Sequence, residues 1–257
     1  MDNNLRKELE ELGRFQMSLN EMIYKRLSVR KYTSEVLGAS AVYKINEFLE
    51  DTKRLYPDIR IRMEVVGKEN VRCLLPWIPN HAVVFYSEEK EGYLENAGFI
   101  FQQLDLYLQD QGFGTCWLGM GRLNTVAKSQ IKDGLKFVIM LGVGYPDEAF
   151  RTNLSQFNRK ALAEISDTED SRLEPARLAP SSCNSQPWYF VHDKEQIHVY
   201  CSKKGFIRNK FLGEMNRIDM GIAIAHMYVA NPDSFKFFKT GNIPEVAEHE
   251  YVGSLQV

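Results

Sequence analysis

The residues best suited to chemistry lie in three short strings. From Ala179 to Trp188 the chain reads Ala-Pro-Ser-Ser-Cys-Asn-Ser-Gln-Pro-Trp, with hydroxyls and two carboxamides held between prolines. A carboxamide offers a donor and an acceptor together, which the uracil-like edge of a flat heterocycle requires of its host. From Arg26 to Arg30 the order is Arg-x-Ser-x-Arg. Two guanidiniums four apart on a helix share a face, and with a hydroxyl between them they suit a phosphate. The third string, Gly112 to Met120, carries three glycines that let main-chain N–H groups approach a flat ligand. Each string also has a plainer reading. The first is a polar turn between helix and strand, the second a helix end with ordinary cations, the third a helix C-cap. No GxGxxG or Walker pattern accompanies the glycines.

Other chemistries find little support. The four cysteines, Cys73, Cys116, Cys183 and Cys201, are scattered without a CxxC pair, so they read as thiols from a reducing compartment. His81, His192, His198, His226 and His249 form no ligand-like cluster, and no metal site is expected. A net charge of -2, from 32 basic and 34 acidic residues, gives no footprint for nucleic acid or an anionic membrane. The N-terminus is charged and heptad-like, without the apolar core of a signal peptide, and no run of apolar residues is long enough to span a bilayer. A soluble, cytoplasmic protein is the expectation.

The elements that must position these strings follow from periodicity. Leu5, Leu9, Leu12, Phe15, Leu19 and Ile23 predict helix from Asn4 to about Leu27. Further helices are expected over 39–52, 92–111, 169–179 and 218–229, and strands over 59–66, 81–86, 136–143, 188–191, 197–201 and 251–257. The 92–111 helix leaves little of its circumference for solvent. A polar stretch from Asp147 to Asp170, containing Arg159-Lys160, has the composition of a connecting arm. Helix, strand, buried helix and strand thus recur, the second time shorter, which predicts a loosely doubled α+β architecture with 257 residues and 44% hydrophobic content to fill its core.

Taken together, the strings resemble the nitroreductase-like FMN oxidoreductases. Pro180 to Trp188 matches that family's flavin-ring loop almost letter for letter, Arg26 to Arg30 its phosphate segment, and Gly112 to Gly119 its stretch near flavin N5. The resemblance implies that Arg26, Ser28 and Arg30, with the Leu27 backbone, hold the FMN phosphate, helped by Arg159 and Lys160. It implies that Pro180, Ser181, Ser182 and Asn184 line the ring, that Gln186 braces the loop, and that Leu118, Gly119 and Met120 supply the N5 side. Gly119 stands where some members carry a carboxylate. The order departs from the usual member, in which the ring loop closely follows the phosphate segment. Usual members are homodimers that share each flavin, so this chain resembles such a dimer fused into one polypeptide. Its halves would be residues 1–165 and 166–257, packed as one unit with a single FMN, and a monomer becomes possible.

The implied activity is oxidation of NADH or NADPH and reduction of a quinone, nitroaromatic or similar small acceptor, in ping-pong order at one flavin face. Positioning and electrostatics suffice for such chemistry, so no side chain is assigned a catalytic role. Three alternatives stand beside it: an FMN-binding sensor or carrier, a related flavin chemistry such as reductive dehalogenation or flavin destruction, and a helical interaction module built on residues 1–25.

Overall fold

The computed structural model describes residues 19–125, 134–203 and 210–257. Most of the expected N-terminal helix lies outside these residues; of the remainder, residues 19–23 are helical. In chain order the helices are α1 (Ala39–Asp51), α2 (Tyr93–Asp110), α3 (Leu162–Ile165), α4 (Glu174–Leu178) and α5 (Lys210–Ala230). The strands are β1 (Ile61–Gly67), β2 (Val71–Arg72), β3 (His81–Ser87), β4 (Gly114–Trp117), β5 (Arg122–Leu123) and β6 (Lys136–Gly144), then β7 (Trp188–Asp193), β8 (Gln196–Ser202), β9 (Lys236–Phe238) and β10 (His249–Gln256). They form two four-stranded sheets, ordered β1-β3-β6-β4 and β7-β8-β10-β9, and a small β2-β5 ribbon. Every ladder is antiparallel, so the α+β expectation holds. No helix of the described residues is long and apolar enough to cross a membrane.

Helix α2 is buried around most of its surface, including Glu95, Asn96, Gln102, Gln103, Asp105 and Gln109. Buried polar groups need partners, and two of these find them in the loop that follows α1. Gln103 donates to Lys53 O and Asn96 accepts from Leu55 and Tyr56 N–H. The helix therefore fixes loops as well as filling core. One continuous apolar cluster joins both sheets, including Val83, Phe85 and Leu141 from the first and Phe190, Val199 and Leu255 from the second.

Between the sheets α2 crosses α5, and the contact is reciprocal. A Cβ on Gly98 would lie 2.0 Å from Ile218 O, and one on Gly221 would lie 2.0 Å from Glu95 O. Glu95 stands three residues before Gly98, and Ile218 three before Gly221. Only a glycine at each position lets the backbones approach this closely.

Candidate flavin site

The Arg-x-Ser-x-Arg segment is not helical. Helix ends at residue 23 and the chain runs on extended, with Ser28 bridged to Thr115 of β4 and Val29 N–H donating to Thr115 O at 2.9 Å. Gly114 permits this, since a Cβ there would lie 2.8 Å from Val29 Cγ1. The two arginines therefore do not share a helical face: Arg26 is buried and Arg30 is exposed, its guanidinium over the Trp77 ring. The reason is that β4 captures the segment by main-chain bonds just where helix would have to continue.

Arg26 is held by a polar cluster from α2. Its Nε donates to Asp105 Oδ2 at 2.9 Å, and its Nη2 donates to Ser28 Oγ at 3.2 Å. Asp105 also accepts from Gln102 Nε2, Gln109 Nε2 and the Thr115 hydroxyl. Leu27 N–H is taken by Gln109 Oε1 at 2.8 Å. The connecting arm then returns along this segment. Arg151 donates to Arg26 O and lies on the Phe157 ring, 4.3 Å from its centroid.

Arg159 links the arm to the second polar string. Its Nε donates to Ala179 O at 2.9 Å, and its Nη1 donates to Asn184 Oδ1 at 2.9 Å. Burial, then the neighbouring Arg26, Arg151 and Arg177, push its pKa down to about 9. Burial, then Arg26 and Arg30, push that of Arg151 down to about 10. Positive charge is thus crowded beyond what Asp105 alone neutralises, the condition that a bound anion relieves. Lys160 faces the loop differently, giving its N–H to Gln186 Oε1 and its Nζ to Gln186 O.

The loop itself is tightly determined. Cys183, Asn184 and Gln186 take left-handed backbone, with φ of 50°, 57° and 47°, a conformation costly for non-glycine residues. Its ties compensate: Gln186 N–H to Ser181 Oγ and Gln186 Nε2 to Asn184 O within the loop, and Asn184 Nδ2 to Asn158 O of the arm. Asp219 of α5 accepts the Ser182 N–H on both carboxylate oxygens at 3.0 Å. Pro180 is buried, Ser181 and Ser182 are half-buried, and Cys183 to Ser185 are exposed. The polar groups of the loop thus reach the surface at one place.

On the glycine string, Leu118 is buried and gives its N–H to Met140 O. Among the described residues no main-chain bond uses the N–H of Gly119 or Met120, so both donors remain for a ligand. Met215 of α5 lies over Gly119, with Sδ 3.4 Å from where a Cβ would be. One helix therefore touches both the glycine string and the polar loop, through Met215 and Asp219. The Cys116 thiol is buried and raised to about 11, first by that burial, which suits packing rather than reactivity.

Three contributors escape sequence reasoning. Asp105 and Arg151 sit in patterns that tertiary contact alone explains. Asp219 left a signal, being a lone acid in the apolar run Ile218 to Val229. A cleft of about 700 Å3, lined by Phe48, Lys53 and Tyr228 among others, shares no residue with the candidate site.

Comparisons with known proteins identify the family and the fold. A family model described as "Putative TM nitroreductase" matches residues 18–231. The crystal structure of a "putative nitroreductase" from Thermotoga maritima is similar, with 19% identity, coverage of 94% of each chain and a TM-score of 0.62. A "putative nitroreductase in complex with FMN" from Desulfovibrio desulfuricans has 18% identity over 59% of this chain and 96% of its own, with a TM-score of 0.45. A nitroreductase family protein from Clostridium difficile has 14% identity over 59% and 98%, with a TM-score of 0.45. No curated protein matches the sequence.

Proposed function

We propose a function from one premise: the chain belongs to the nitroreductase family whose model spans residues 18–231. It is an FMN-dependent NAD(P)H oxidoreductase with one flavin site per chain. The observation that carries this reading is Arg159, which bonds Asn184 of the ring loop while its charge is crowded by Arg26 and Arg151. A phosphate-suited cation cluster and a carboxamide-rich loop thus meet at one residue.

The donor set fits FMN. Arg26, Arg151 and Arg159, with Ser28 and the more exposed Arg30, offer the phosphate guanidinium and hydroxyl donors. Ser181, Ser182 and Asn184 offer the pyrimidine edge donors and acceptors, and Pro180 gives the ring an apolar neighbour. Gly119 and Met120 offer main-chain N–H groups towards N5 and O4. Gln186 and Lys160 hold the loop from behind. When bound, FMN supplies the redox chemistry, carrying two electrons from NADH or NADPH to a quinone, nitroaromatic or similar small acceptor. The protein's part is to bind, orient and desolvate.

The two halves, residues 1–165 and 166–257, correspond to the subunits of a shared-site dimer joined in one chain. The reciprocal approach of Gly98 and Gly221 supports this, because isologous contact is the signature of a two-fold axis. Asn96 and Asp219, each two residues before its glycine, both accept backbone N–H groups from a loop. On this reading the functional unit is a monomer.

The test is a fluorescence titration of apoprotein with FMN, followed by anaerobic NADH or NADPH. A break at one FMN per chain and bleaching of the flavin are expected. Saturation without bleaching would instead indicate a flavin carrier or sensor, and no binding would overturn the assignment.

A further inference from the structure

The ring loop is held in an unfavourable conformation, and something outside it must select that conformation. Three of its residues take positive φ. Its internal bonds that use side chains run through Gln186, at its C-terminal end. At its tip, Ser182 N–H and the Ser185 hydroxyl both turn to Asp219, at 3.0 Å and 3.4 Å. Asp219 is buried on α5, one turn after Met215, which covers Gly119. A single helix therefore sets the spacing between the ring loop and the N5-side glycine string.

The molecule carries an internal comparison. Asn96 occupies the matching place on α2 and accepts from Leu55 and Tyr56 N–H, at 3.0 and 3.1 Å. A carboxamide there suffices to hold a loop. The candidate site has a carboxylate instead, with no cation bonded to it among the described residues. Nearby, the Cys201 thiol on β8 is raised to about 12, first by burial, and lies within the influence of Arg217, Glu95, Glu250 and Asp219. Arg217 is committed to Glu95 and Glu250. Arg159 and Lys160 bind the loop at Asn184 and Gln186, away from the Ser182 tip.

We propose that Asp219 is the positioning residue of the flavin-ring loop, receiving Ser182 N–H and the Ser185 hydroxyl so that the loop presents its donors to FMN, and that its ionisation weakens flavin binding. This rests on the FMN reading above. Burial pushes the carboxyl up to about 8, opposed by those two hydrogen bonds. A flavin bound at the loop brings an anionic phosphate, whose charge resists ionisation of Asp219, so FMN binds best when the carboxyl is neutral.

The experiment measures FMN affinity by fluorescence, and the bound-flavin absorption spectrum, from pH 7 to 9 for the full chain and three variants. Wild type should lose up to about tenfold in affinity across that interval. Asp219→Asn keeps an acceptor for Ser182 and should bind like wild type at pH 7, with a flatter profile. Any share of the pH effect arising from Arg159 persists in this variant, so the difference between the two profiles is what counts. Asp219→Ala orphans the Ser182 N–H and should weaken FMN by about ten- to a hundredfold at pH 7, with an altered flavin spectrum. Asn96→Ala loosens the opposite loop and should leave FMN affinity unchanged. An Asn profile parallel to wild type, or an Ala variant that binds as tightly as wild type, overturns the role of Asp219 while leaving the flavin assignment intact. Failure of wild type to bind FMN overturns both.

Discussion

Replacing Asp105 with Asn tests the electrostatic design of the proposed phosphate end. The Asp105 carboxylate accepts from Arg26 Nε at 2.9 Å, Gln102 Nε2 at 2.9 Å and Gln109 Nε2 at 3.0 Å, and from the Thr115 hydroxyl. Every one of those partners is a donor. A carboxamide keeps one acceptor but turns an NH2 group towards donors, and the Arg26 charge loses its counterion with its side chain 1% exposed. Breaking one side of a buried pair costs about 3–5 kcal/mol. In a chain of this size each kcal/mol moves Tm by about 2–4 °C, so a fall of about 6–20 °C is expected. The assay is thermal and urea unfolding of apoprotein, repeated with FMN. The phosphate returns negative charge to Arg26, so FMN should raise the Tm of Asp105→Asn more than that of wild type. Arg26→Met in the Asp105→Asn background should recover much of the loss, since the orphaned charge is gone. A loss below about 1 kcal/mol, or equal stabilisation of both proteins by FMN, would refute the argument that the buried charge needs this partner.

Other consequences can be measured directly. Inorganic phosphate should stabilise the apoprotein by about 1–3 kcal/mol beyond chloride at matched ionic strength, and Arg159→Ala should remove most of that difference. Gly98→Ala and Gly221→Ala each place a Cβ 2.0 Å from a carbonyl oxygen of the opposite helix. Each should cost about 3 kcal/mol or more in equilibrium unfolding. His226 is lowered from 6.5 to about 3, first by burial, against its bond to Pro175 O and with Arg26 and Arg159 adding to the shift. The unfolded chain therefore takes up a proton below pH 6.5 that the folded chain refuses, and stability falls as pH drops from 6.5 towards 3. That loss is about 4 kcal/mol in order of magnitude, and His226→Gln should flatten the acid limb of a stability–pH curve.

The ring loop was legible because its chemistry is contiguous: hydroxyls, carboxamides and prolines fall within ten residues and need no tertiary contact to be noticed. The family followed from it, and the comparisons match. Strands β1, β3, β6, β7, β8 and β10 and helix α2 were legible from periodicity to within about two residues at their ends, whereas the three-residue edge strand β9 was not expected. Where reading failed, tertiary capture decided. Gly114–Trp117 has no strand pattern, yet pairing with β6 at Gly144 and Gly142 makes it β4. The same strand draws Ser28 into a bridge, so spacing that suggested a helical face became an extended segment. Helix α5 begins well before Ile218, where its sequence is too polar to show an apolar stripe. Arg151 was indistinguishable from any arm residue until its contacts with Arg26 O and Phe157 were seen.

The bond from Arg159 to Asn184 and the close crossing at Gly98 and Gly221 both join segments of a single chain. A cofactor site divided between separate subunits is lost on dilution, because its parts must find each other at the prevailing protein concentration. On the proposed single-chain reading, the parts meet at a local concentration fixed by the chain itself. Occupancy by a ligand then depends on that ligand's concentration alone. A cell could keep the protein at very low copy number without losing the site.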